Sequence, residues 1–207
     1  MFPERIETDR LVLERFCHSN VSTTDMYNLF TDNEEVRETL EYVALDPFRT
    51  VKEAHDMIDK AEEQWEAVDA ANYIVRPAGD QKDARELAGH TVLECKWELR
   101  TARFGLVLTK PFWGRGYSGE RAAALMKLAF ETLDLELVAV GYNEGNERSK
   151  RAIEKYVDKF NGQYDGVIRN RVPMEEKIHD FHRYTVTREQ YNATPQLQKK
   201  QCRFVYE

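Results

Sequence analysis

Phe112-Trp113-Gly114-Arg115-Gly116-Tyr117-Ser118-Gly119-Glu120 lies between an alternating apolar run at residues 104–108 and a helical run at residues 122–130. The order is strand, glycine-spaced turn and helix start, which turns backbone N–H groups toward a phosphate. The turn lacks the Gly-Lys-Ser/Thr ending of a P-loop and the three-glycine spacing of a dinucleotide fingerprint. What it does have is Gly114-x-Gly116 followed by Ser118 and Gly119, four small residues in six positions. Glycine accepts positive φ and small side chains leave the approach open, so backbone can come close to a bulky anion. The same glycines are equally compatible with a tight turn that holds no ligand.

Downstream, Glu136-Leu-Val-Ala-Val-Gly-Tyr142 reads as a buried strand, leading into Asn143-Glu-Gly-Asn146-Glu-Arg-Ser149 and a helix with Ala152, Ile153, Tyr156 and Val157 on its apolar face. Together the two elements resemble the acetyl-CoA-binding core of the GCN5-related N-acetyltransferases. The resemblance is greatest to the branch that acetylates ribosomal-protein N-termini. That branch shows an aromatic-Trp-Gly-basic-Gly-Tyr-small turn, a helix, a strand, and an Asn-x-x-Ser that opens another helix. Here these are Phe112 to Ser118 and Asn146-Glu147-Arg148-Ser149. Arg5-Ile-Glu-Thr-Asp-Arg-Leu-Val-Leu-Glu-Arg-Phe16 is similar to the family's opening strand, and Tyr184-Thr-Val-Thr-Arg-Glu-Gln-Tyr191 to its closing strand.

The resemblance implies one domain over residues 1–207, an α/β fold whose mixed, mostly antiparallel central sheet is flanked by helices. It also implies a splayed strand pair that opens the acetyl-CoA cleft. Backbone groups of Leu106, Val107 and Leu108 would pair with the pantetheine arm like an added strand, with an N–H near Val107 facing the oxyanion. The turn of Trp113 and Gly114, with N–H groups from Arg115, Gly116, Tyr117, Ser118 and Gly119, would receive the pyrophosphate. Trp113 either touches the cofactor or packs under the turn. Ser149 would face the cofactor sulfur and donate to the departing thiolate, and Asn146 would hold the pantetheine amide. Both residues equally fit a helix N-cap and its third helical position.

The general base is not supplied in this way. Relatives often carry Glu on the strand before the turn, where this chain has Arg103 in Ala102-Arg103-Phe104-Gly105. Glu94, Glu98, Asp165 and Glu176 are near in sequence and unranked. Arg103 suits a substrate carboxylate or an ion pair with the acidic helix. An α-amine, which titrates near about 8, needs less help than a lysine near about 10.4. His179-Asp-Phe-His182 places its two histidines on opposite faces of a strand, against a shared metal, and the other histidines are isolated in sequence; no metal site is expected.

Periodicity orders the remainder. Residues 10–16 alternate as a strand, 22–30 and 33–39 open with polar caps as short helices, and 50–68 form a strongly amphipathic helix. Strands follow at 72–75 and 86–95, joined by a turn at 77–83, and then at 101–108. A helix at 119–132, a strand at 136–142, a helix at 146–157 and strands at 163–169 and 177–185 complete the series. An antiparallel meander followed by strand, helix, strand, helix gives a mixed sheet.

Net charge is −7, and residues 25–69 carry 14 acids against 4 Lys and Arg. The surplus suits a cationic acceptor or a solvated helix face and argues against a nucleic-acid-binding module. No apolar run reaches bilayer length, and Met1-Phe-Pro-Glu-Arg-Ile-Glu lacks the order of a signal peptide, so a soluble cytoplasmic protein is expected. Cys17, Cys95 and Cys202 are spaced for neither disulfides nor zinc. Phe160, Tyr164 and Phe204 suit the core or a homodimer face. The functional expectation is acetyl transfer from acetyl-CoA to an amine, most directly a protein N-terminus. The alternatives are a small amine such as a polyamine, aminoglycoside or amino acid, and a catalytically silent acyl-CoA-binding domain.

Overall fold

The computed structural model describes residues 1–79, 83–174, 177–198 and 202–206. In chain order its elements are β1 (Arg5–Thr8), β2 (Leu11–Arg15), α1 (Thr23–Phe30), α2 (Glu34–Leu40), α3 (Val51–Glu66), β3 (Ala70–Pro77), β4 (Gly89–Lys96) and β5 (Thr101–Leu108). Then come α4 (Tyr117–Lys127), β6 (Leu137–Asn143), α5 (Glu147–Lys159), β7 (Gln163–Met174), β8 (Lys177–Thr187), α6 (Arg188–Asn192), α7 (Pro195–Gln198) and β9 (Cys202–Val205). Among the described residues the strands form one sheet in the order β7-β8-β6-β5-β4-β3-β2-β1-β9. Every neighbouring pair is antiparallel except β5 and β6.

That parallel pair is short. It holds Thr101 to Leu137, Ala102 to Val138 and Arg103 to Ala139, and no further. Beyond it β5 stays paired with β4 as far as Leu108, and β6 stays paired with β8 as far as Asn143. Each strand is thus held by its outer neighbour while the inner edges part, so the sheet opens into a splay between residues 104–108 and 140–143.

Two apolar clusters cover the two faces. On one face α4 and α5 bury Leu125, Met126, Ile153, Tyr156 and Val157 against Phe104, Val138 and Val140. On the other, α1 to α3 pack Met26, Phe30, Leu40 and Ile58 against Phe16, Ile74 and Val107. The amphipathic pattern of α3 is realised as Ala54, Ile58, Ala61 and Trp65, all buried at helical spacing. Its start is fixed by Glu53, whose carboxylate accepts the N–H groups of Arg49 (2.6 Å) and Thr50 (2.8 Å). β3, covered by α3 and central in the sheet, is buried at seven of its eight positions.

The structure departs from the sequence expectations at the chain's two ends. The strand expected at 10–16 is β2, but the longer opening segment 5–16, likened to one strand, is a hairpin, because Thr8 Oγ1 accepts the Leu11 N–H (3.0 Å) and closes a turn at Asp9 and Arg10 between β1 and β2. The strand expected to run through Tyr191 stops at Thr187. Thr187 Oγ1 accepts the Gln190 N–H while Gln190 Oε1 accepts the Thr187 N–H, a reciprocal cap that starts α6. Strand β9 and helices α6 and α7 had no clear periodicity. The helix after the glycine turn starts earlier than expected, at Tyr117, and its last turn, Leu128–Thr132, is a π-helix. Part of the turn expected at 77–83 lies outside the described residues. Phe160 is in the core and Phe204 packs against it, while Tyr164 stays half-exposed against His182 and Tyr184. The cysteines are free; burial pushes the Cys95 thiol up to about 12. Among the described residues no helix is long and apolar enough to cross a membrane.

Candidate active site

The glycine turn sits at the open end of the splay. Gly114 and Gly116 have φ of 73° and 80°, the left-handed region that glycine enters without cost. Gly116 is the N-cap of α4 and carries no side chain to bond the helix's first N–H groups. The N–H groups of Ser118 and Gly119 therefore have no partner within the helix and sit at its positive end. A side chain built at Gly114 would meet nothing within 4 Å, so the outside of the turn is open.

A clasp that sequence reading missed holds this turn. Arg10, in the β1–β2 hairpin, donates Nη1 to the Arg115 carbonyl (2.9 Å) and Nε to Glu120 Oε2 (2.7 Å). Glu120 Oε1 also accepts the Arg10 N–H (2.8 Å) and the Thr8 hydroxyl (2.6 Å). One largely buried carboxylate in the first turn of α4 thus ties the cradle to the far end of the sheet. The signal was the Thr8-x-Arg10 in the opening segment, which has meaning only once the hairpin places it there. Arg115 braces the turn as well, with its guanidinium on Asp83 (2.6 Å) and over the Phe112 ring; this leaves the turn's backbone as the group facing outward.

On β5 the ladder decides which backbone groups face the splay. Thr109 N–H donates to the Ala88 carbonyl, and the carbonyl oxygens of Gly105 and Val107 point at β4, the first accepting Thr91 Oγ1 and the second lying against Gly89. Antiparallel alternation then turns the backbone groups of Leu106 and Leu108 toward the opening and those of Val107 toward β4. This sharpens the expectation of an oxyanion-facing N–H near Val107: the splay-facing N–H groups are those of Leu106 and Leu108, while that of Val107 is turned to β4. The Leu108 carbonyl is taken by Trp113 Nε1 (2.6 Å), so the indole packs on the strand end beneath the turn. Its ring face carries the Arg148 guanidinium at 3.3 Å from the ring centre.

Across the splay, Asn146 caps α5, its Oδ1 accepting the Ser149 N–H (2.9 Å). The Asn146 Nδ2 and the half-buried Ser149 hydroxyl make no hydrogen bond among the described residues. Both remain able to donate.

The carboxylates proposed from sequence as bases are engaged or distant. Glu94 faces Arg103 across the β4–β5 ladder and accepts its Nε (3.0 Å) and Nη2 (2.6 Å), with Lys96 on its other oxygen (3.0 Å). Burial would raise the Glu94 carboxyl, but the hydrogen bonds from Arg103 and Lys96 outweigh it and hold it below the usual range. Asp165 accepts the Thr185 hydroxyl (2.8 Å) and pairs with Arg183, and Glu98 lies in the Trp97–Leu99 turn at the opposite end of β5 from the opening. Glu176 lies outside the described residues. His90, beside Val107 in register, is wedged between the Phe16 and Phe30 rings, and burial brings it down to about 4.

Beyond the turn, Asn33, Glu34, Glu35, Glu38, Lys110 and Pro111 line a cavity of about 660 Å³. Of its acids Glu38 is paired with Lys110 (2.5 Å) and lies 4.0 Å from Arg148. His182 stacks on Tyr142 and bonds the Tyr164 hydroxyl, and does not meet His179. His18 and His55, by contrast, are not isolated: they come together at Asp59.

A sequence profile described as the Acetyltransferase (GNAT) domain matches residues 10–156. No curated protein matches the chain significantly. Solved structures share its fold. A GCN5-related N-acetyltransferase from Brucella melitensis superposes with a TM-score of 0.77 at 17% identity, covering 95% of this chain and 84% of that one. The microcin C7 self-immunity acetyltransferase MccE, solved with acetyl-CoA and AMP, gives 0.74 at 14% identity over 87% of this chain and 93% of that one. A spermidine N-acetyltransferase from Vibrio cholerae, solved with CoA and spermine, gives 0.68 at 16% identity over 88% and 98%. With the profile spanning more than two-thirds of the chain and the splay, glycine turn and Asn-x-x-Ser in place, the chain belongs to the GNAT family of acetyl-CoA-dependent N-acetyltransferases.

Proposed function

We propose that this enzyme acetylates the α-amino group of a peptide or protein N-terminus, the acceptor class of the ribosomal-protein branch that the turn and Asn146-x-x-Ser149 resemble. The pairing of Glu94 with Arg103 and Lys96 carries the reading. It places an engaged ion cluster where a free carboxylate base would stand, so the nucleophile must become neutral with little help. At pH 7.5 about one α-amine in four is neutral, against about one lysine amine in 800. The difference of more than two decades favours the α-amine. The acidic cavity of α2 adds a preference for a basic N-terminal segment.

Acetyl-CoA supplies the activated thioester, and the residues present fit it. The Ser118 and Gly119 N–H groups at the positive end of α4 suit the pyrophosphate. The Leu106 backbone and the Leu108 N–H offer an open strand edge to the pantetheine arm, with the Leu106 N–H as oxyanion donor. Asn146 Nδ2 suits an amide carbonyl, and the Ser149 hydroxyl would donate a hydrogen bond to the departing thiolate.

A polyamine acceptor is the second reading, favoured by the same acidic cavity and by the spermidine N-acetyltransferase among the structural neighbours. Free-thiol release is to be compared over peptides with free N-termini, the same peptides N-terminally blocked but retaining lysine, and spermidine. The free N-termini are expected to turn over fastest. Faster turnover of the blocked peptides or of spermidine overturns the α-amine assignment.

A further inference from the structure

Away from the splay, three side chains converge on the outer surface of α3. His55 and Asp59 stand one turn apart on that helix, and His18 reaches them from the turn that follows β2. His18 Nε2 lies 2.8 Å from Asp59 Oδ1, and His55 Nδ1 lies 3.1 Å from Asp59 Oδ2. The two rings meet edge to face with centres 4.7 Å apart at 73°, so ring nitrogens rather than ring faces look onto the carboxylate. One donor atom from each residue lies within 4.8 Å of the other two.

We propose that His18, His55 and Asp59 form a binding site for a divalent transition metal of the zinc type. Two imidazole nitrogens and one carboxylate oxygen are the donors such ions prefer, whereas magnesium and calcium require mostly oxygen. With bonds of about 2.0–2.1 Å in tetrahedral geometry, ligand atoms stand about 3.3 Å apart. The two nitrogen–carboxylate separations reach that by opening a few tenths of an ångström, and the widest of the three donor separations, up to 4.8 Å, by closing about 1.5 Å through side-chain rotation at the surface.

The scaffold is preorganised. His18 is held by its own backbone N–H, which donates to Glu62 Oε1 on α3 (3.0 Å), and the turn behind it is closed by Asn20 and Val21 N–H groups on the Cys17 carbonyl. The helix carries six acids and two lysines, of which Lys52 is taken by Asp56. A cation therefore enters a negative field, and solvent completes its coordination at the exposed side. Binding uses the lone pairs of His18 Nε2 and His55 Nδ1, each neutral ring keeping its one proton on the other nitrogen, and staples the β2–α1 turn to α3.

The test is calorimetric titration of chelator-treated full-length protein with zinc chloride at pH 7.5, with magnesium and calcium chloride as comparisons. Thermal melting with and without zinc runs alongside. The site predicts one zinc per chain, a raised melting temperature with zinc, and no response to magnesium or calcium. His18→Ala, His55→Ala and Asp59→Asn should each weaken zinc by about tenfold or more, the size of effect that even outer-shell partners produce. His179→Ala, on β8, should bind as the unaltered chain does. All three ligand positions are exposed or half-exposed, and far-UV circular dichroism verifies that each variant is folded. Absence of zinc binding, or binding that the three variants leave unchanged, overturns the proposal.

Discussion

At Ser149 two roles reside on different atoms. Its backbone N–H is committed to the Asn146 cap, while its hydroxyl is half-buried and bonds nothing among the described residues. Removing the hydroxyl therefore leaves the helix start intact. Ser149→Ala is expected to lower kcat about tenfold with KM for acetyl-CoA within about twofold, since a thiolate leaving group with a pKa near 8.5 needs only modest protonation. Steady-state kinetics decide it, and an unchanged kcat removes Ser149 from proton transfer. His90 makes a separate prediction about pH. Its Nδ1 is buried without a partner among the described residues, and burial lowers it from 6.5 to about 4. Between those values the unfolded chain binds a proton that the folded chain refuses, so stability is present above about 6.5 and is lost as pH falls toward 4. The shift corresponds to at most about 3 kcal/mol, less to the extent that the ring edge is exposed. Urea titrations of the unaltered chain and of His90→Gln should diverge in that window, the variant being flatter. Parallel curves would show that His90 takes up its proton in the folded state.

At the scale of elements, the parts that could be read from the sequence were those whose chemistry is local. The glycine turn, the Asn-x-x-Ser and the face of α3 each lie within one helix length, and periodicity or spacing suffices to place them. Contacts that need register were out of reach. The Glu94–Arg103 pair exists because β4 and β5 align those residues opposite one another, and the Arg10–Glu120 clasp because a hairpin closes 110 residues away from its partner. Leu106, Val107 and Leu108 were read together as facing the opening, because strand alternation has a phase that only the observed ladder supplies. The turn itself gives the sharpest test at this scale. Gly116 is left-handed and a Cβ there would stand 3.4 Å from Arg10 Nη2, so Gly116→Asp costs about 1–2 kcal/mol in backbone strain and sets a charge beside the anion site. Thermal shift with acetyl-CoA should show no binding, and retained binding would mean that the cradle lies elsewhere. Asn146 separates capping from ligand contact. Asn146→Ala should lose about 1 kcal/mol of stability in urea. Asn146→Asp keeps the cap but replaces the Nδ2 donor by a charged carboxylate oxygen, so near-native stability with weakened acetyl-CoA binding is expected. Equal affinity in the two chains would leave Asn146 as a cap alone.

Over the whole molecule, charge and architecture are segregated together. The 14 acids of residues 25–69 fall on α1 to α3 and their connections, the layer on the opposite face of the sheet from α4 and α5. The proposed cofactor cradle belongs to the positive end of α4, so the negative field and the proposed anion site occupy different sides of the splay. A field arranged in this way attracts a cationic acceptor without obstructing a polyphosphate, provided that salt does not screen it. Screening is nearly complete beyond about 10 Å at 0.1 M ionic strength. For an acceptor peptide bearing several lysines, kcat/KM should therefore fall about tenfold or more between 0.02 and 0.5 M ionic strength (an order-of-magnitude expectation for steered association), and should change little for a peptide whose only cation is its N-terminus. Glu34 and Glu35 are the residues to alter, because both are exposed, line the α2 cavity and form no ion pair among the described residues. Glu34→Gln with Glu35→Gln should flatten the salt dependence for the basic peptide while leaving kcat and the KM for acetyl-CoA in place. The same slope in the double variant and the unaltered chain would assign the acidic layer to solvation of its helices and remove it from acceptor capture.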